Sequence, residues 1–183
     1  IVIVLATYGQ VSLPIAVLAL IFLAFYMSCY LATFAFLCAK TGARLSLLVF
    51  APACWVALDL IRSRLFTGFP WMDLAYTQYS LPQIIQLADL AGHYGLTFLM
   101  VLANALIFIL AASLLRRKTT SSPAFIATAA LLLLLASGYS LWRMQTLPAT
   151  ITQATQMEVA VAQGNIPQDQ KWQPAFQRET IDT

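Results

Sequence analysis

Apolar residues run through this chain in long blocks separated by short polar intervals, and the lengths of the blocks predict the elements. Residues 1–8 are too short to cross a bilayer and read as the tail of an earlier span. Residues 14–39 carry no charge and exceed the ~20 residues that cover about 30 Å of hydrocarbon. That first complete span closes at Lys40-Thr41-Gly42-Ala43-Arg44, where Gly42 suits a helix end. Further spans are predicted over about 45–64, 94–115 and 124–142, the last opening at Pro123, a position that proline tolerates. Between them Leu81, Ile84, Ile85 and Ala88 follow the i, i+3, i+4, i+7 rule opposite Gln83 and Gln86, which predicts a short helix lying along the membrane surface. Beyond the spans the pattern changes. Residues 147–157 read as a polar linker, 158–162 alternate like a strand, 163–167 turn, and Pro174 is placed to start a helix through Phe176 and Ile181. The expected fold is mainly α: a transmembrane helix bundle over 1–146, followed at 158–183 by the start of a soluble α/β domain.

One stretch breaks the helical pattern. In Thr67-Gly68-Phe69-Pro70-Trp71, followed by Leu74-Ala75-Tyr76-Thr77-Gln78, Pro70 lacks a donor and disfavours helical geometry at Phe69, while Gly68 frees the backbone. Irregular backbone beside a bilayer persists where it is buried in protein, lines a cavity or reaches water. The segment is therefore a connector, with Trp71, Tyr76 and Tyr79 as an interfacial aromatic belt, or it is a site. Other polar residues inside apolar blocks have structural readings of their own. Asp59 and Arg62 are neighbours on one helix face and read first as an ion pair fixing the helix end. Asn104 reads as a bond to a neighbouring helix. His93, bracketed by Gly92 and Gly95, reads as a solvated or hydrogen-bonded turn residue, with no second ligand at metal spacing.

Composition agrees with the spans. Of 183 residues 61% are apolar and 9% charged, and the mean hydropathy is +0.80, far from a soluble domain. The net charge of +3 contains no basic run that would argue for nucleic acid. Cys29, Cys38 and Cys54 lie in apolar blocks, where thiols act as small hydrophobes; Cys29 and Cys38 would be about 13 Å apart on one helix, beyond disulfide reach. Lys40 and Arg44 lie an even number of crossings before Arg116, Arg117 and Lys118, so the positive-inside rule puts both groups in the cytoplasm. The loop at 67–78 and everything after Arg143 then face outward. The chain lacks an initiator Met and stops within what reads as a helix start, so a longer parent chain is expected.

Asp59-Leu60-Ile61-Arg62, then Thr67-Gly68-Phe69-Pro70-Trp71, then Tyr76-Thr77-Gln78 resemble the membrane domain of bacterial apolipoprotein N-acyltransferases, which usually carry Glu where Asp59 stands and often Ser where Thr77 stands. Residues 158–172, containing Val159-Ala160-Val161-Ala162-Gln163-Gly164-Asn165-Ile166-Pro167, resemble the opening of that family's extracytoplasmic nitrilase-like domain, an α-β-β-α sandwich. The resemblance implies transfer of a fatty acyl chain from membrane phospholipid to the N-terminal amine of an apolipoprotein's lipidated Cys. Transfer proceeds through an acyl-thioester on a Cys, with a Glu base and a Lys that stabilises the tetrahedral intermediate. None of the three is matched here. All are expected beyond Thr183, so residues 1–183 alone are expected to be inactive. The resemblance also implies a multi-pass protein of the bacterial inner membrane, monomeric, without cofactor or metal, its C-terminal part in the periplasm. Phe69, Pro70 and Trp71 are then expected to form the acyl-chain portal, Gln78 to help hold the loop, and Arg62 or Arg64 to meet a phospholipid head group, since an Arg fork suits phosphate. Two other readings are a membrane-tethered nitrilase-like amidase and a polytopic transporter subunit. A transporter would carry paired repeats and charges deep in its spans, and the charges here cluster near span ends.

Overall fold

The computed structural model describes residues 1–41, 46–115, 122–155 and 157–161. It falls into two units, residues 1–28 with 155–183, and residues 29–154. The first contains α1 (Val2–Thr7), a turn in which the amides of Tyr8 and Gly9 return to the Val4 carbonyl, and the opening turns of α2 (Leu13–Thr41). Residues 157–161 form no regular element. The strand expected there needs a partner strand to exist at all, and the described residues supply none. Residue 162, the turn at 163–167 and the helix after Pro174 lie outside the described residues, as do Arg44 and the cations at 116–118.

The second unit is a helical bundle. It comprises the rest of α2, α3 (Leu47–Arg62), the short α4 (Pro82–Ile85), α5 (Ala88–Leu114) and α6 (Pro123–Gln153). Among the described residues three helices, α2, α5 and α6, are long and apolar enough to cross a membrane. The second expected span is shorter than predicted: at 16 residues α3 covers about 24 Å, less than the hydrocarbon thickness. The core is where α3, α5 and α6 meet, at Leu48, Leu102, Ala105, Ile109 and Ala129, with Phe98, Leu106 and Ile126 packed against it. Two of its five members are alanines, and small side chains let membrane helices approach closely where lipid is as apolar as the protein. Phe34 meets Trp55 edge-on at 4.8 Å and ties α2 to α3.

Two boundaries differ from expectation, each for a local reason. Helix α6 runs past Arg143 and through Pro148 as far as Gln153, so the first half of the predicted linker is helical. Proline removes a single intrahelical bond, and the hydroxyls of Thr146, Thr150 and Thr152 each donate to a carbonyl three or four residues back. Helix α5 begins before Tyr94 and kinks at Ala91 and Gly92, where Gly92 takes φ 61° and ψ −168°. Only glycine adopts that conformation without strain, and the helix restarts at His93.

A loop fastened by a buried guanidinium

The loop after α3 turns back on the helix that launches it. Leu65–Thr67 form a tight turn, and left-handed backbone at Phe66 (φ 51°), Gly68 (φ 86°) and Met72 (φ 63°) reverses the chain. Gly68 is required sterically as well, because a Cβ there would fall 2.2 Å from the Ser63 carbonyl oxygen. The Phe69 amide then donates to the Arg62 carbonyl at 3.0 Å. Phe66 and Met72 are strained for residues with side chains, and such strain persists only where surrounding contacts over-determine the backbone.

Arg62 supplies those contacts. Its Nη1 donates to the carbonyls of Phe69 (3.2 Å) and Trp71 (2.7 Å), while Nη2 donates to Asp59 Oδ1 at 2.9 Å and to Asp73 Oδ1. All three charged side chains are buried, with exposures of 4% for Arg62, 9% for Asp59 and 1% for Asp73. A planar fork with five donors suits this task, since one group must satisfy two carbonyls and two carboxylates in different directions. His93 completes the cluster from α5. Its Nε2 lies 3.0 Å from Asp73 Oδ2, close enough for a charge contact but without the alignment of a hydrogen bond, and its ring stacks on Tyr76 at 5.5 Å. Just below, Tyr94 donates to Ser63 Oγ and joins the same helix ends.

With its polar groups turned inward, the loop presents an apolar crest. Phe66 is 79% exposed, Trp71 68% and Met72 84%, and Phe69 stacks on Trp71 at 5.9 Å. Beside the crest, Leu60, Ile61, Arg64 and Leu65 line an open groove of about 320 Å³, with Arg64 exposed at its edge.

The structure thus separates the residues singled out from sequence. Phe69, Pro70 and Trp71 stand together on the loop, and Arg64 stands on the adjoining groove. Arg62 does not face a head group: it is buried and both terminal nitrogens are engaged inside the protein. The Gln78 side-chain amide donates to its neighbour Thr77 at 2.8 Å, whereas the carbonyls of Phe69 and Trp71 are held by Arg62. Asn104 donates to Met100 of its own helix instead of crossing to another. His93 sits at a helix restart in contact with the loop, not in a solvated turn. The cysteines are free, and among the described residues no group of His, Cys, Asp or Glu could hold a metal. Sequence reasoning passed over Asp73. Its signal was rarity: it is an acid two residues after Trp71 in a chain only 9% charged.

Long apolar helices around a small-residue core, with irregular backbone secured by a buried ion cluster, define a multi-pass membrane protein with a fixed aromatic loop. Residues 1–106 match the family model described as the apolipoprotein N-acyltransferase N-terminal domain, and the chain belongs to that family. Proteins named apolipoprotein N-acyltransferase are similar along nearly its whole length. That of Geobacter metallireducens is 38% identical over 181 residues, 98% of this chain and 34% of the relative. Those of Coxiella burnetii (28% over 180 residues, 96% of this chain, 35% of the relative) and Pasteurella multocida (31% over 175 residues, 96% and 33%) follow the same pattern. The chain spans about a third of the length of these relatives.

Proposed function

We propose that this chain is the lipid-handling membrane part of an apolipoprotein N-acyltransferase of the bacterial inner membrane. The full-length protein would move a fatty acyl chain from phospholipid to the N-terminal amine of a diacylglyceryl-cysteine lipoprotein. An acyl-thioester splits this transfer into two easier steps, which suits covalent catalysis. The Glu, Lys and Cys of that chemistry would lie beyond Thr183, in a periplasmic nitrilase-like domain that residues 158–183 begin. The observation that carries the reading is the match of residues 1–106 to the family, with the Thr67–Trp71 loop inside the matched region. Within this chain, the crest of Phe69, Pro70 and Trp71 is the portal for the acyl chain. Arg64 is the group that meets the lipid phosphate, because it is the exposed arginine beside an apolar groove.

The full-length protein, reconstituted in phospholipid vesicles without acceptor, should accumulate an acyl group that hydroxylamine releases, the mark of a thioester. Residues 1–183 alone should accumulate none. Absence of a labile acyl group on the full-length protein would overturn the reading.

A further inference from the structure

A second apolar recess lies away from the loop. Helices α5 and α6 run antiparallel, joined at one end through Asp89, which accepts from Tyr139 Oη and Arg143 Nε at 2.9 Å each, and at the other through the core around Ile109 and Ala129. Between these contacts, beneath α4, is a partly open cavity of about 320 Å³. Leu96, Met100 and Ala103 of α5 face Leu133, Ala136 and Ser140 of α6, and Gln83 of α4 stands at one margin. The lining is almost wholly apolar. A cavity of this kind does not hold water, and its volume is in the range of small-molecule sites.

Ser140 is the polar residue of its wall that is left unbonded. The residue is 3% exposed and its Oγ has no hydrogen-bond partner. Hydroxyls on the long helices can donate to the carbonyl one turn back, as Ser28 and Thr33 of α2 and Ser137 of α6 do. Ser137, on the same cavity, bonds Leu133 at 2.8 Å, whereas Ser140, like the buried Thr97 of α5, makes no such bond. A buried hydroxyl without a partner is destabilising, so an acceptor brought by a ligand has a ready donor. The medium around α5 and α6 is hydrocarbon, and Arg143 and Asp89 mark the head-group end one turn beyond Ser140.

We propose that this cavity holds one acyl chain of a membrane glycerophospholipid, whose ester carbonyl accepts from the Ser140 hydroxyl. The chain extends from Gln83 and Ser140 toward Ala103 and Leu133, about 10 Å along α5. The lipid is a bound component separate from any chain that passes over the Trp71 crest. Its binding requires no turnover, so it stands or falls apart from acyl transfer.

The test uses the full-length protein in vesicles of phosphatidylethanolamine and phosphatidylglycerol, doped with a phosphatidylethanolamine that carries a diazirine at the middle of one acyl chain. After irradiation, label should concentrate on Met100, Ala103 or Leu133. Ala136→Phe, which fills the cavity, should lower that label about tenfold. Ser140→Ala, which removes one oxygen and disturbs little packing, should lower it about threefold, and Ser140→Thr should restore it; this pair carries the test if Ala136→Phe does not accumulate. An ether-linked phosphatidylethanolamine with the same diazirine, which lacks the ester carbonyl, should label wild type and Ser140→Ala alike. Label spread evenly onto the outward residues Ile107, Phe108 and Leu134 would overturn the proposal. So would floor label that Ser140→Ala or a folded Ala136→Phe leaves unchanged, or a free fatty acid that displaces the phospholipid at equal concentration.

Discussion

Helices α3 and α5 meet along one seam whose two ends use different chemistry. At one end Leu48 packs with Leu102, Ala105 and Ile109. At the other, Asp59 and Arg62 face Asp73 and His93, and the carbonyls of Phe69 and Trp71 are drawn into the same cluster. The apolar end joins helices already satisfied internally and needs only close fit. The polar end secures a segment with no helical hydrogen bonds, so it must supply donors, and a buried guanidinium supplies several at once. One seam therefore holds helix to helix at its apolar end and loop to helix at its polar end.

Substitutions at the two ends should part accordingly. The largest effect is expected from Arg62→Ala, which leaves two buried carboxylates and two loop carbonyls without a donor and should cost about 3–5 kcal/mol. Arg62→Lys should not rescue it, since an ammonium on a single stem cannot reach four acceptors in different directions. Thermal unfolding in detergent, together with protease cleavage within residues 66–80, reads both consequences. Gly68→Ala comes next at about 2–3 kcal/mol, from a left-handed φ and a clash with Ser63, and should expose the same segment to protease while the helices stay protected. At the apolar end, Leu102→Ala should cost about 2 kcal/mol, the low end for such truncations because lipid is itself apolar. That variant should lower the unfolding temperature without opening the loop to protease. Asn104→Ala is the smallest change, within about 0.5 kcal/mol, because its amide serves its own exposed helix face. If Arg62→Ala and Leu102→Ala gave the same cleavage pattern, the division of labour along the seam would be lost.

The sequence made part of this visible. Uninterrupted apolar blocks marked α2, α5 and α6, and the break at Gly68 and Pro70 marked the loop, because both follow from local backbone chemistry. The clamp was hidden because it depends on direction. Arg62 and Arg64 differ by two positions, which on a helix points them to different sides, and no local rule says which side is protein. The pairing of Arg62 with Asp73 forms only once the loop has folded back, as does the approach of His93 from α5. Ser137 and Ser140 pose the same problem on α6: both line one cavity, but only the structure shows that one hydroxyl is bonded and the other is not. Pro148 works in the opposite sense: it lies in the polar stretch at 147–157 that reads as a linker, and the helix passes through it.

The crest itself is the most direct test of the account. Trp71 is 68% exposed, so Trp71→Ala in the full-length protein should shift stability by no more than about 0.5 kcal/mol. The measurement is the initial rate of acyl transfer from phospholipid to a diacylglyceryl-cysteine peptide, at matched protein level in the membrane. The account predicts a fall of about tenfold or more with the unfolding temperature unchanged. Transfer at the wild-type rate would contradict it and leave the crest as an interfacial aromatic anchor.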